Sequence, residues 1–423
     1  MKNELKTLSP DFRKILKTSS SLADSLGFGI YLVGGVVRDL LLEKDIFDLD
    51  IVVEGDAIKF AKELAKILGE KFSRHHTFGT ATVCFSGHKI DFATARTEKY
   101  AHWGALPKVK PSLLTRDLLR RDFTINAMAI SLNSTDYGKL IDLFDGLQDL
   151  KKGLIRILHP NSFLDDPTRI LRAIRFEQRF GFKIEKETFV LVKDAISQAA
   201  LKQVSLHRLR DELTLILKEP KPYRYIKRIK ELIGFSFIDK KIRLTKEDFK
   251  FFLRVERATA SYKKKFSKHR RLQVWLIYLA GILTKLSSAR IKQVLGDFAF
   301  RKGERMIILS IKKNLNKIKK LNRRNKPHII YRSLEPYSFE GLIFFYAYYS
   351  SKTLRKNIDY FLDKLMNIRL RVQGRDLKKI GLRPLVLYNK ILKKLLYLKL
   401  DKGFKNKKEE LEEAARILKR LKR

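Results

Sequence analysis

Two rhythms of apolar and polar residues run along this chain. Up to about residue 145, short β-branched runs alternate with stretches of helical spacing. "IYLVGG" (30–35) reads as a strand running into a Gly-Gly turn, and "VVRDLLL" after it as a helix. "FDLDIVV" (47–53) is the next strand. "DAIKFAKELAKILG" has a 3.6-residue period, with Asp56 placed as N-cap and Gly69 as C-cap. "TATVCFSGHKIDFATAR" predicts a hairpin about Ser86-Gly87, with Cys84 in the core. After "LHPNSFLDDP" the spacing is almost wholly helical, as in "RILRAIRFEQRF" and "HRLRDELTLILKE". "IKKNLNKIKKLNRRNK" (311–326) predicts one helix with an Ile311, Leu315, Ile318 and Leu321 stripe and Lys/Arg elsewhere. The expectation is an α+β chain: a head with a mixed sheet and helices over 1–150, then an all-helical neck (151–225), body (226–330) and basic tail (331–423). No internal repeat and no low-complexity linker is visible.

Charge sharpens that division. The 423 residues carry a net +45, but residues 1–220 hold 35 Lys+Arg against 29 Asp+Glu, while residues 221–423 hold 56 against 17. A near-neutral front followed by a strongly basic half implies chemistry in the first and polyanion binding in the second. A thermophile surface would add Glu together with Lys. The single cysteine excludes an internal disulfide and a cysteine metal cluster and suits a reducing compartment. The start "MKNELKTLSPDF" has no apolar signal core, and "GLIFFYAYY" is too short to span a bilayer. We expect a cytoplasmic protein, with no membrane association and no obligate protein partner.

Asp48 and Asp50 stand two apart at a strand end, where desolvated like charges repel. Hard cations such as Mg²⁺ take one or two carboxylates plus substrate phosphates, and a carboxylate pair fits that task. Asp91, on an expected neighbouring strand, could complete the set. DxD pairs also occur in solvated turns, a Gly-Gly turn can be only a turn, and Asp39 can simply pair with Arg38.

The order of motifs says more. "LVGGVVRD", the DxD, "RRDFTINAMA" and "DDPTRILRAIRF" follow one another. In that order they resemble the tRNA nucleotidyltransferase family, the bacterial-type (class II) CCA-adding enzymes together with bacterial poly(A) polymerases. The resemblance covers about residues 28–215 and returns weakly at "GRDLKKIGLRP". It implies a nucleotidyltransferase head with Asp48 and Asp50 as Mg²⁺ ligands, two ions during catalysis, and Asp91 in the third carboxylate position. It implies a triphosphate turn at Gly34, Gly35 and Arg38, and ribose and phosphate recognition by Arg120, Arg121, Asp122 and Asn126. "DLFDGLQDL" sits at the family's hinge, with Leu143 and Asp145-Gly146 departing from its usual Asp-Pro and Gly-Gly. Arg208 and Glu212 match a supporting ion pair, though their i, i+4 spacing is also that of an ordinary surface pair.

The same resemblance makes Asp166 and Arg169 the base readers. Three apart at a helix start, they share a face. Adenine and cytosine each present an exocyclic amine beside an unprotonated ring nitrogen. Asp accepts from the first and Arg donates to the second, while guanine and uracil reverse the match. Asp165 replaces the family's Glu and reads equally as an N-cap, with Pro167 at the helix start.

The implied reaction is transfer of a nucleotide from NTP to an RNA 3′ end with release of pyrophosphate. tRNA and ATP are the expected partners, with CTP use open. "GALPKVKPSLL" (104–114) is similar to members that add only the terminal A, which favours A-only addition over full CCA synthesis. A bacterial poly(A) polymerase, a non-catalytic RNA-binding protein with a retained head, and a small-molecule nucleotidyltransferase are the alternatives. Lys312, Lys313, Lys317, Lys320, Arg323 and Arg324 are the candidate RNA phosphate contacts.

Overall fold

The computed structural model describes residues 2–75, 79–266, 272–379 and 386–421. The chain divides into two compact units, Met1–Ile216 with Glu231–Phe237, and Leu217–Lys230 with Ile238–Arg423. The expected boundaries near 150 and 330 fall inside the first and second unit.

The first unit is built on a seven-stranded mixed sheet. Its strands are β1 (Gly29–Val33), β2 (Leu49–Glu54), β3 (Phe72–His75), β4 (Thr80–Phe85), β5 (His88–Thr94), β8 (Met128–Ser131) and β9 (Leu140–Asp142). They lie in the order β3-β4-β5-β2-β1-β8-β9. The β2–β5 pair is parallel and the other neighbours antiparallel. Between β5 and β8 the chain forms a separate ribbon, β6 (Arg96–Lys99) against β7 (Lys108–Pro111).

Local signals act as the sequence implies. The Asp56 carboxylate accepts from Ile58 N and Lys59 N, and Gly69 closes helix Ala57–Leu68 with φ 69°. The hairpin turns at Ser86 and Gly87, both with positive φ. Cys84 departs from expectation: Val83 and Phe85 face the core, so the alternation of β4 turns Cys84 outward and leaves it exposed.

Alternation along β2 also sets up the site. Leu49, Ile51 and Val53 face one side. Asp50 and Val52 face the other, where Val52 packs with Val33, Ala129, Leu114 and Leu118. The first unit's helices include Gly35–Leu41, Ser162–Asp165, Thr168–Phe180 and Leu206–Lys218, the last ending just beyond its boundary.

The second unit is helical throughout its described residues. Helix Val274–Leu283 is apolar on all sides and correspondingly buried. Phe252 stacks on Tyr278 and Phe251 meets Phe344 in the core beside it. A smaller cluster, Val372, Leu377, Ile391, Leu395, Ala414, Ile417 and Leu418, joins the last helices. Among the described residues no helix is long and apolar enough to cross a membrane.

The expected helix over 311–326 is shorter. Helix Lys302–Ile318 gives way to a 3₁₀ turn over Lys319–Asn322, and Arg323 is extended. Ile311, Ile318 and Leu321 are buried as the stripe predicts.

Candidate active site

β1 ends at Gly34, whose φ of 70° suits glycine. A Cβ there would lie 2.6 Å from Arg121 Nη1, so the end of that side chain would have to move aside. The turn leads into helix Gly35–Leu41, which carries Arg38 inward. Arg38 Nε and Nη2 each donate to the Asp39 carboxylate at 2.9 Å, so that ion pair is real. Nη1 donates to Asn126 Oδ1 at 2.5 Å, and the guanidinium stands over the rings of Phe176 and Phe180. Burial pulls the Arg38 pKa down, and Asp39 opposes that shift.

Asn126 is oriented in turn. Its Nδ2 donates to Asp122 Oδ1 at 2.9 Å, and Arg172 holds Asp122 Oδ2 through Nε and Nη2. Burial alone would raise the Asp122 pKa, but Arg172, the Asn126 hydrogen bond and Arg169 bring it to about 2. Asp122 thus positions Asn126 and Arg172. Arg120 reaches Asp117 and Glu98, and Arg121 reaches the other oxygen of Asp117. Arg121 Nε is buried without a hydrogen-bond partner, an orphaned donor beside the Gly34-Gly35 turn.

The carboxylates come together across the parallel pair. Asp50 on β2 stands directly opposite Asp91 on β5. Asp48 is exposed, one residue before β2. Asp50 has accessible surface, but that surface lies in a concave site crowded by protein. This burial, then the charges of Asp91 and Asp48, raise its pKa against the pull of Arg121. Asp91 accepts from Thr82 Oγ1 at 2.5 Å. Among the described residues no three His, Cys, Asp or Glu side chains converge on one point. The donor set is nonetheless all-oxygen and mutually repelling, which suits a hard divalent cation.

Asp166 and Arg169 meet in the site by a route other than a shared helical face. Asp166 precedes helix Thr168–Phe180, with φ −134° and ψ 89°. Its Oδ1 accepts from Thr168 N at 3.0 Å and Thr168 Oγ1 at 2.6 Å, so the capping bond expected of Asp165 belongs to Asp166. Asp165 ends the short helix Ser162–Asp165, 3.9 Å from His159. Arg169 donates to Ser162 Oγ at 2.5 Å and to Arg120 O at 2.7 Å. The expected Arg208–Glu212 pair is absent. Arg208 turns to Asp166 at 2.8 Å, and Glu212 takes Arg172 and Arg175, because both acid and base have nearer partners across the fold.

One cavity of about 600 Å³ collects Gly34, Gly35, Arg38, Asp50, Arg120, Arg121, Asp122, Asn126, Asp166 and Arg169. Arg96, Glu98, Tyr100, Arg172, Arg175, Phe176, Arg179 and Arg208 also line it, and sequence reasoning missed their place there. For four of them a signal was present: Arg172, Arg175, Phe176 and Arg179 continue the helical face begun by Arg169. Clustered guanidinium groups can bind phosphates and a carboxylate pair can hold a cation, so the cavity has the chemistry of a site for a phosphorylated nucleotide.

Comparison with known proteins narrows the class. Residues 30–156 match the family described as "Poly A polymerase head domain". Residues 181–233 match "Probable RNA and SrmB- binding site of polymerase A". An A-adding tRNA nucleotidyltransferase of Aquifex aeolicus is 39% identical over 84% of this chain, which spans only 43% of that protein. The A-adding tRNA nucleotidyltransferase of Halalkalibacterium halodurans is 33% identical over 91% of this chain and 88% of its own length. The Thermotoga maritima CCA-adding enzyme complexed with tRNA is 33% identical, with a TM-score of 0.79 over 99% of this chain and 98% of that one. The chain belongs to the family of tRNA nucleotidyltransferases and bacterial poly(A) polymerases.

In the second unit, Lys313, Lys317, Lys320, Arg323 and Arg324 are exposed. Lys312 differs from them. It is half-buried and its Nζ donates to Thr284 O at 2.6 Å.

Proposed function

We propose that the chain is a template-independent nucleotidyltransferase that adds AMP from ATP to the 3′ end of tRNA and releases pyrophosphate. The observation that carries this reading is the convergence of Asp50, Arg38 and the Asp166/Arg169 pair on one cavity. Arg38, Arg121 and the Gly34-Gly35 turn bind the triphosphate. Asn126, held by Asp122, orients the ribose. Asp166 accepts from the exocyclic amine of adenine, and Arg169 donates to its ring nitrogen. Asp48 and Asp50 would hold Mg²⁺, two ions during transfer, with Asp91 the third carboxylate of the set. Bound there, the metal supplies charge neutralisation for the phosphates and activation of the RNA 3′-hydroxyl. The attacking group belongs to the RNA, so no protein nucleophile is required. Lys313, Lys317, Lys320, Arg323 and Arg324 offer phosphate contacts within a strongly basic half. With tRNA as substrate, the compartment is the cytoplasm.

A-only addition is preferred over full CCA synthesis. The relatives named A-adding match over most of this chain, and the sequence of the 104–114 segment is read as similar to members that add only the terminal A. The test is one gel. tRNA transcripts ending in the discriminator base, in C and in CC are incubated with each labelled NTP. One AMP on the CC transcript, with little CMP on the shorter two, is expected. Two CMP then one AMP on the shortest transcript would restore a CCA-adding enzyme, and a long AMP ladder a poly(A) polymerase.

A further inference from the structure

The base-edge chemistry of Asp166 and Arg169 suits adenine and cytosine equally. Something else in the cavity must act on the size and faces of the base. Its lining is dominated by charged groups, with Tyr100, Pro107 and Phe176 supplying apolar surface. Phe176 is already engaged, because Arg38, Arg172 and Arg175 stand 5.0–5.4 Å from its ring centre. Tyr100 differs. Among the described residues its ring has no aromatic or cationic stacking partner.

The ring is nevertheless held in place. The Tyr100 hydroxyl donates to Glu98 Oε2 at 2.8 Å. Glu98 is itself nearly buried and clamped by Arg96 at 3.1 Å and Arg120 at 3.0 Å. Four residues on, Gly104 pins the chain a second time. Its N–H donates to Leu164 O and Asp165 O at 3.3 Å, and its carbonyl accepts from Arg208 Nη1 at 3.0 Å. The other arm of Arg208 holds Asp166. Gly104 has φ 70°, and a Cβ would lie 2.9 Å from the Gln203 carbonyl group, so no other residue fits there without a shift. The Tyr100–Gly104 stretch is therefore tied through Arg208 to Asp166, one of the two proposed base readers. Tyr100 also lines a neighbouring cavity of about 260 Å³ with Arg169, Asp165 and His159, so it forms a wall common to both.

We propose that the ring of Tyr100 is the stacking platform for the base of the incoming nucleotide, and that it favours adenine over cytosine. The inference rests on the reading of the cavity as an NTP site. A purine offers two fused rings to the platform and a pyrimidine one, while the hydrogen-bonded edge is common to both. Glu98 and its arginines fix the ring before the nucleotide arrives, so stacking requires no loop ordering.

Binding without RNA tests this, by calorimetry on the full chain with ATP, CTP and inorganic tripolyphosphate. Tyr100→Leu is expected to weaken ATP about 5- to 150-fold, the range that loss of one base–aromatic stack gives. CTP should weaken less, so the ATP/CTP ratio moves toward one. Tripolyphosphate should bind as before, because Arg38 in its cradle is held by Asp39 and Asn126 and not through Tyr100. Tyr100→Phe should recover most ATP affinity, since the ring face remains. Unchanged ATP binding in Tyr100→Leu overturns the proposal. So does loss of tripolyphosphate with ATP, which marks general damage, or a Phe variant as weak as the Leu one, which assigns the effect to the hydroxyl. Failure of the broader reading looks different: wild-type chain would then bind ATP no better than tripolyphosphate, or bind it without transferring AMP to RNA.

Discussion

Asp50 on β2 and Asp91 on β5 face each other directly across the one parallel pairing of the sheet. Burial, and then the charges of Asp91 and Asp48, raise the proton affinity of Asp50. The folded state then binds a proton more tightly than the unfolded chain. Stability contributed through this group therefore falls as pH rises from the ordinary carboxylate value through the raised one. Asp50→Asn should accordingly raise the thermal midpoint at neutral pH without divalent cation, and Mg²⁺ should raise the wild-type midpoint but not the variant's. AMP transfer should be abolished in Asp48→Ala and Asp50→Asn. Wild-type turnover in both would remove the carboxylate assignment.

Asp122 works in the opposite sense. Its pKa of about 2 lies below the unfolded value, so its stabilisation is present above about pH 4 and is lost as pH falls toward 2. Asp122→Ala would strand Arg172 and unlatch Asn126. A loss of about 3–5 kcal/mol is expected for breaking a buried pair from one side. Urea unfolding followed by circular dichroism measures it. A shift below 1 kcal/mol would mean that Arg172 finds Glu212 sufficient.

Asp166→Ala and Arg169→Ala should each lose rate and discrimination together, with GTP and UTP incorporation rising relative to ATP. Asp166→Ala also deletes the capping bond to Thr168, at a cost of about 0.5–2 kcal/mol. Arg208→Ala should blur selection in the same direction, because it releases both Asp166 and Gly104. Competition assays with mixed NTPs separate these outcomes. Wild-type preference in either base-reader variant would exclude that residue from the role.

Five of the named candidates (Lys313, Lys317, Lys320, Arg323 and Arg324) remain exposed once Lys312 is set aside, and Lys319 is exposed beside them. If all five neutralise phosphates, log Kd against log salt should have a slope magnitude of about 3.5–4.5. Reversing Lys313, Lys317 and Lys320 together should flatten it. Lys312→Ala should instead act on stability, by leaving Thr284 O without its donor. tRNA binding unchanged by the triple reversal would return this surface to simple solvation.

Much of the fold was legible because it rests on local signals. The Asp56 cap, the Gly69 stop and the Ser86-Gly87 turn each act within a few residues. The mixed sheet of the head and the helical remainder follow from the change of period near residue 145. The site was legible where its residues carry a motif. It was hidden where partner choice depends on distant chain. Arg208 and Glu212 are spaced for a helical pair, yet Asp166 and Arg172 reach them first. Lys312 reads as a surface cation, yet a carbonyl 28 residues earlier holds it. Tyr100 and Glu98 carry no spacing signal at all, and only the β6–β7 ribbon brings them to the cavity.

Three of the contacts made by Asp166 fall on one atom. Thr168 N, Thr168 Oγ1 and Arg208 Nη2 all meet Oδ1. Under the proposed base-reading role the second oxygen serves the nucleotide, and scaffolding and selection are divided between two atoms of a single side chain. Asp166→Asn can then keep the first duty with its amide oxygen while replacing the second by an N–H. Under that proposal the pair is a lock with two independent wards: one tests the exocyclic group, and Arg169 tests the ring nitrogen. Re-cutting only the first would admit the carbonyl of guanine or uracil and still obstruct its ring N–H, so no natural base would turn the altered lock fully.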